Sequence, residues 1–433
     1  MKRKISLSTT VTLVLLTMAL TISLTMLLAM RHFNSQLQLV SQRQKMYSHI
    51  NDVDKIVREY YPDLDEALLR QGIAKGYIDG IDDPHAAYFT TEHYAEEKLR
   101  MEGKANNIGI VLAESKDEAG NSKLVVTRVQ ENSPASRAII YVGDELLTID
   151  GAPVLGRSLS SVQEQLDTAA KVSLTVRRGE GEAPYTISAD EYSVRSVQGT
   201  VLDNVGYVKI TDFYENTPEQ FEEIMDSLMD KGVTGFVFDL RNNVGGSSKA
   251  VQEMLSQIMP LGAYGTMTDT KGNVTNLSTK VSKAVSLPTV TLINGTTAGE
   301  AEFFAGALQE AGLTTVLGET SAGKAKYQEY FVLEQSYSAL KLTVGEYGLM
   351  KGGSWDGEGI QPTQVVELPP EQEENFQMLN PHEDAQVQAA VDKLSDTSDP
   401  IVPDPEPPVT DPSVTEPTGT DTTAPETTGT TKA

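Results

Sequence analysis

The chain is 433 residues long, which at ~100–200 residues per domain leaves room for two or three domains. Its 35 Lys and Arg stand against 61 Asp and Glu, a net charge of −26, so nucleic acid and anionic bilayer surfaces are poor partners, because both require basic patches. The absence of cysteine removes disulfides, thiolate chemistry and sulfur-ligated zinc together.

Lys2, Arg3 and Lys4 precede an uncharged apolar run over 11–30, which at ~1.5 Å per helical residue is long enough to cross a hydrocarbon core. The basic end is expected to stay inside, which makes the chain a single-pass cell-membrane protein with its soluble part extracytoplasmic. A cleaved signal peptide is the alternative, but no clear small-x-small site follows the run. Residues 1–35 are therefore read as an anchor. Over 36–104 the apolar residues Ile56, Val57, Tyr60, Leu64, Leu68, Leu69, Ile73, Tyr77 and Ile78 recur at helical spacing, interrupted by the turn GIDDPHAAYFT.

Over 105–192 the pattern becomes one of short strands. IGIVLAE, KLVVTRV, DELLTIDG and VSLTVRR alternate with the short helical stretches SPASRA and SSVQEQL, which describes a small sandwich or barrel able to hold a peptide as an added strand. Over 195–394 strands and helices alternate: GYVKI, GFVFDL, TVTLI and TTVLG are separated by amphipathic helical segments. That order predicts an α/β fold with a mostly parallel sheet whose ligands sit beyond the carboxyl ends of its strands. Three turns lie there, DLRNNVGG, INGTTAGE and LGETSAGK. The final segment, 395–433, is Thr, Pro and acidic, and is expected to be disordered because it has too little apolar surface to offset ordering entropy.

The chemistry available at these turns is restricted. The only histidines are His32, His49, His85, His93 and His382, so the alternating region from Thr200 to Gly318 offers neither a Ser-His-Asp triad nor a histidine metal site. GETSAGKA approaches a phosphate-binding loop, but Ala325 stands where a Mg²⁺-binding hydroxyl is needed and KYQEYFVLEQ continues as a strand, not a helix. A lysine at a strand end can act as a general base if its free amine is accessible near neutral pH, and Gln328 could steady that amine without adding charge. By itself Lys324 reads as a surface lysine paired with a carboxylate, the usual fate of a lone lysine.

Several stretches together resemble the carboxyl-terminal processing peptidases, or tail-specific proteases, over most of the soluble part: IVREYYPD, IDGIDDPHAAYFT, VQENSPASRA, VGDELLTIDG, FVFDLRNNVGGSS, NGTTAGEAEFFAGALQEAG and WDGEGIQP. The resemblance implies a peptidase core of crotonase-like β-α-β units with an inserted PDZ domain, a helical amino-terminal region and a single membrane helix. It implies no cofactor and no metal, and as partners unstructured protein C-termini and an active paralogue. In this family a Ser-Lys dyad cleaves the peptide bond and a Gln supports the Lys. The Lys falls on Lys324 and the Gln on Gln328, while Asn294, Gly295 and Glu302 match the nucleophile turn. The nucleophile's own position is Gly299.

Glycine has no side chain, so no acyl-enzyme can form through residue 299 and hydrolysis is expected to be impaired. Oxyanion donors implied by the resemblance are the N–H groups of Gly245, Gly246 and Glu300. An ion pair from Glu300 to Lys324 would hold the lysine protonated, against what a base requires. Substitute nucleophiles are Thr297, in the same turn, and Ser321, which forms an S-x-x-K with Lys324. For the PDZ segment the resemblance places the peptide-binding loop at Asn106, Asn107, Ile108, Gly109 and Ile110. Ile139 and Tyr141-Val142 stand where the family usually has Gly and a Pro-Gly turn.

Overall fold

A computed structural model describes residues 7–116, 120–279 and 285–395. The tail read as disordered, from 396 onward, lies outside the described residues. The chain divides into two units, 1–82 and 83–433.

In the first unit one helix runs Leu7–Tyr60, and a second, Glu66–Asp79, follows. No Gly or Pro interrupts 7–60, so the helix continues well past the apolar run, until Pro62 removes a donor and constrains the residue before it. Among the described residues, the stretch long and apolar enough to cross a membrane is Leu15–Phe33, within a few residues of the uncharged run over 11–30. The second helix starts where the Asp65 carboxylate accepts the N–H groups of Ala67 and Leu68.

In the second unit, the strands Ile110–Lys116, Ser122–Val129, Glu145–Ile149, Lys171–Arg178 and Gly181–Ser188 form an antiparallel sheet in that order, so Ile110–Lys116 is an edge strand. Alternate residues such as Val172, Leu174 and Val176 are buried, and they pack with Val162 and Leu166 of the helix Leu159–Thr168.

A second sheet begins with Val197–Leu202 antiparallel to Val205–Ile210 and continues with the parallel strands Gly235–Asp239, Thr289–Ile293, Thr314–Gly318 and Gln364–Val365. Its strand period of two separates two cores. Phe236 and Phe238 face the helices Thr217–Asp230, Ser248–Ile258 and Glu300–Glu310, whereas Val237, Val290 and Leu292 face the helix Ala385–Ser395. A third sheet, built on the long strand Ala339–Gly348 with Lys326–Val332, Gly262–Asp269, Val274–Thr279 and Ala87–Phe89, stands beside the carboxyl ends of the parallel strands. The architecture is thus an α/β core with a mostly parallel sheet and a separate small antiparallel sandwich, the arrangement the resemblance implied.

Candidate active site

The turns after Gly235–Asp239 and Thr289–Ile293 are tied together by asparagines. Asn242 N–H donates to Asn294 Oδ1 at 3.0 Å, Asn294 Nδ2 donates to Asn242 Oδ1 at 2.8 Å, and Ala298 N–H donates to the Asn243 carbonyl at 2.9 Å. Asn243 also accepts the Gly245 N–H on its Oδ1 at 2.9 Å. Gly245 was expected to offer an open N–H, but this Asx-type turn engages it within its own loop.

Below these turns, Arg241 is buried between Asp239 and Asp384, with guanidinium-to-carboxylate distances of 2.6 and 2.8 Å, and donates to Gln386 at 2.8 Å. Burial alone would push the Asp239 carboxyl up, but the Arg241 charge and hydrogen bonds prevail and hold it at about 2. The strand end that carries DLRNN is therefore anchored to the carboxyl-terminal helix.

Gly299 caps the helix Glu300–Glu310 with φ 62° and ψ −123°. This backbone conformation costs a residue with a side chain ~1–3 kcal/mol, and strand-to-helix turns that present nucleophiles carry such strain. A Cβ here would meet Val244 O at 3.5 Å, Gly245 Cα at 3.7 Å and Lys324 Cδ at 4.0 Å, all ordinary contacts. The position has room for a side chain and faces the lysine.

Glu300, the next residue, is 5% exposed. Its Oε2 accepts the Gly246 N–H at 2.9 Å, and its Oε1 accepts the Tyr347 hydroxyl at 3.0 Å and the Ser248 hydroxyl at 3.4 Å. Burial, and then the Glu300 carboxylate, push the Tyr347 hydroxyl well above its ordinary range, so it remains a donor. Gly245 makes the room for this arrangement: a Cβ there would lie 2.5 Å from Glu300 Oε2. At the first position of a helix the carboxylate also meets the positive end of the helix dipole. The expected ion pair to Lys324 is not formed. Among the described residues no carboxylate oxygen lies within the 4.0 Å ion-pair distance of Lys324 Nζ, because Glu300 turns toward Gly246 and Tyr347 instead.

Glu302 fixes the relative position of the two catalytic-type turns. Fully buried, it accepts Gly299 N–H at 2.9 Å and Lys324 N–H at 2.8 Å on Oε2, and Gly323 N–H at 2.7 Å and the Ser321 hydroxyl at 2.5 Å on Oε1. Sequence matching identified Glu302 as part of the turn without this role, whose only signal was a Glu three residues into a helix.

Lys324 and Gln328 line one cavity of about 490 Å³ together with Glu300, Gly245, Gly246 and Lys341. They do not touch by a hydrogen bond among the described residues: Gln328 Nε2 donates to Lys326 O at 3.2 Å and Thr343 Oγ1 at 3.3 Å. A register shift between Tyr327 and Gln328 in the pairing with 339–348 re-aims this residue. Burial and then the Lys324 charge push the Lys341 ammonium down, which marks a cavity wall rich in positive charge.

The hydroxyls proposed as substitutes are committed elsewhere. Thr297 is fully buried; its Oγ1 donates to Leu240 O at 2.9 Å and accepts Asn294 N–H at 3.0 Å. Ser321 Oγ donates to Glu302 and accepts Ile360 N–H at 2.6 Å. Neither residue lines the cavity that Lys324 enters.

At the sandwich, Ile108 is buried and its carbonyl accepts Ala135 N–H at 2.9 Å, while Gly109 N–H donates to Asn107 Oδ1 at 2.8 Å. Ile110 begins the edge strand. Ile139 has φ 63°.

Residues 204–366 match the model of Peptidase family S41, and residues 98–177 match that of the PDZ domain. Over 327 residues the chain is 30% identical to the carboxy-terminal processing protease CtpA of Bacillus subtilis (strain 168), covering 73% of this chain and 68% of that protein. It is 28% identical over 350 residues to CtpB of the same strain, covering 77% and 70%. Among solved structures, a Bacteroides fragilis NCTC 9343 protein described as an S41 protease superposes with a TM-score of 0.56 at 16% identity, covering 75% of this chain and 90% of that one, a likeness of fold.

Proposed function

The chain belongs to the carboxy-terminal processing proteases of Peptidase family S41 that carry a PDZ domain, and from that premise we propose that it binds unstructured C-terminal peptides while hydrolysing them poorly or not at all. The observation that carries this reading is the Glu300 carboxylate on the Gly246 N–H beside a glycine at position 299. Two requirements of acyl transfer fail together. No hydroxyl stands at residue 299 to attack, and a donor that would stabilise the developing oxyanion already serves a negative charge. A second anion would have to displace Glu300 or lie against it.

The frame of a peptidase persists around that loss. Glu302 still joins the turn to the lysine segment, the cavity holds Lys324 and Gln328, and a Cβ at residue 299 would face Lys324 Cδ. Retained geometry without a nucleophile suits binding, and the chain would act as an adaptor or decoy, or as the partner of an active paralogue. The apolar helix stretch Leu15–Phe33 would hold it in the membrane with the remainder extracytoplasmic. The alternative reading, a working endopeptidase using Thr297 or Ser321, is disfavoured by the hydrogen bonds that both hydroxyls already make.

The test is cleavage and binding of an unfolded protein with an apolar C-terminus by the detergent-solubilised full-length chain. Wild type, Gly299→Ser, Gly299→Ser/Glu300→Ala and Lys324→Ala are compared. Binding without cleavage by wild type, with cleavage recovered in the double variant, is expected. Robust wild-type cleavage abolished by Lys324→Ala would overturn the proposal.

A further inference from the structure

The edge strand Ile110–Lys116 has one neighbour in its sheet, Ser122–Val129, and its other side faces the helix Leu159–Thr168. In an antiparallel strand, alternate residues direct both N–H and C=O outward, and on this edge they are Ile110 and Leu112. Consistent with that parity, Leu112 is opposite Val126, whose own N–H and C=O bond to Asp144 and Gly143. An extended peptide added to this edge would bond to the outward groups. Two of these four groups are held by one side chain: Gln163 Oε1 accepts Leu112 N–H at 3.0 Å, and Gln163 Nε2 donates to Ile110 O at 2.9 Å.

A carboxamide has the same donor and acceptor as a peptide group, so Gln163 stands in for one unit of the missing strand. Its Nε2 also donates to Asp167 Oδ1 at 3.1 Å, one turn along the helix, and Asn107 Nδ2 approaches the same oxygen at 3.4 Å. Asn107 Oδ1 in turn accepts Gly109 N–H at 2.8 Å and the Tyr192 hydroxyl at 2.7 Å. A polar chain therefore runs from the loop that would hold a terminal carboxylate to the strand edge that would hold the peptide backbone. Beside it lies a cavity of about 770 Å³ bordered by Asn107, Gly109, Ile110, Asp167 and Tyr192, space enough for the end of an extended chain.

We propose that Gln163 is a built-in peptide surrogate that closes the groove in the unliganded protein, and that an extended C-terminal peptide binds by displacing its carboxamide from Ile110 and Leu112. This rests on the reading that the groove binds peptides. Displacement needs no backbone movement. Gln163 is half-buried on the rim of its helix, and rotation of its side chain frees Leu112 N–H and Ile110 C=O.

Two measurements on the full-length chain in detergent test this. The first is amide exchange at Leu112, whose N–H donates to Gln163 alone among the described residues. Gln163→Ala, and Gln163→Met, which keeps the length of the side chain without either hydrogen bond, should each accelerate that exchange at least tenfold with the melting transition unchanged. Exchange at Leu112 equally fast in wild type and both variants would overturn the proposal. The second is fluorescence anisotropy with a labelled, extended peptide ending in an apolar residue. Gln163→Ala is expected to bind about tenfold more tightly than wild type, equivalent to ~1.4 kcal/mol. Unchanged affinity with binding intact refutes the surrogate and leaves the peptide reading standing. No binding by any variant, with Leu112 protected in wild type, refutes the peptide reading, and with it a surrogate for peptide.

Discussion

In the turn at Gly299 and on the edge strand of the PDZ-type sandwich, outward backbone groups are held by side chains, but at different depths. In the turn, Glu300 is 5% exposed, carries charge and holds Gly246 N–H with support from Tyr347 and Ser248. In the groove, a half-buried neutral amide on a helix rim makes two edge hydrogen bonds. A charged group fixed in a low-dielectric site resists displacement, whereas a neutral amide exchanging one set of hydrogen bonds for another is nearly balanced. On our reading the first closure is permanent and the second reversible, so the chain has given up catalysis while keeping recognition adjustable.

The largest effect that could break this contrast is recovery of hydrolysis. Where a catalytic nucleophile is lost from a triad acting as a unit, kcat falls by ~10⁶, so Gly299→Ser/Glu300→Ala should exceed wild type by several orders of magnitude. Gly299→Ser alone should fall below the double variant by ~10²–10³, the usual effect of losing one oxyanion donor. Steady-state cleavage of an unfolded reporter reads both. If the single substitution equals the double, Glu300 is not an obstacle and the closure of the turn is no deeper than that of the groove.

Next come the arginines beneath each region. Arg241 is buried against Asp239 and Asp384, whereas Arg178, beside the buried Asp144 in the sandwich, keeps 43% of its side chain exposed. Arg241→Met leaves carboxylates buried without their partner and is expected to cost ~3–5 kcal/mol of stability in denaturant titration. Arg178→Met should cost ~1–2 kcal/mol, since Asp144 retains the Tyr141 N–H at 3.0 Å. The acid limb follows from Asp239. Its folded value of about 2 lies below the ordinary ~3.9, so its contribution is complete above pH ~4 and is lost as pH falls toward 2. In Arg241→Met, where burial raises the Asp239 carboxyl without the guanidinium to oppose it, this loss of stability on acidification should disappear.

What the sequence disclosed and what it withheld separate along the same physical line. TVTLI and GFVFD are legible as interior strands because buried parallel strands are continuous apolar runs, and the turns at their carboxyl ends followed from the β-α-β order. Family spacing located Gly299, Lys324 and Glu302. The strands Gly262–Asp269 and Val274–Thr279 escaped notice because GAYGTMTD and VTNLST carry little apolar alternation and are specified by pairing with distant segments. The aim of Glu300 away from Lys324, the re-aiming of Gln328 by a bulge, and the seat of Gln163 on a strand edge depend on register and rotamers, which spacing does not encode. The groove's sharper test is therefore the Gln163 substitution, where a roughly tenfold gain in affinity is expected.

The smallest effect concerns two turns with nearly equal φ and opposite substitutions. Gly299 has φ 62° where the family places a side chain, and Ile139 has φ 63° where it usually places glycine. Ile139 follows the short helix Pro134–Arg137 as its left-handed terminator: Ile140 N–H donates to Ala135 O and Ile139 N–H to Ser136 O, both at 3.1 Å, the paired bonds of a Schellman cap. A β-branched residue in this conformation is strained by ~1–2 kcal/mol, and with 56% of Ile139 exposed little packing repays it. Glycine would remove the strain and return ~0.5–1 kcal/mol through its freer unfolded chain. Ile139→Gly should therefore stabilise the PDZ domain by up to ~1 kcal/mol, read as a higher denaturant midpoint at unchanged slope. A lower midpoint would mean that the isoleucine makes contacts worth more than its strain. The same reasoning gives Gly299→Ser the opposite sign, a loss of ~1–3 kcal/mol, because a side chain re-enters a turn that glycine had relaxed.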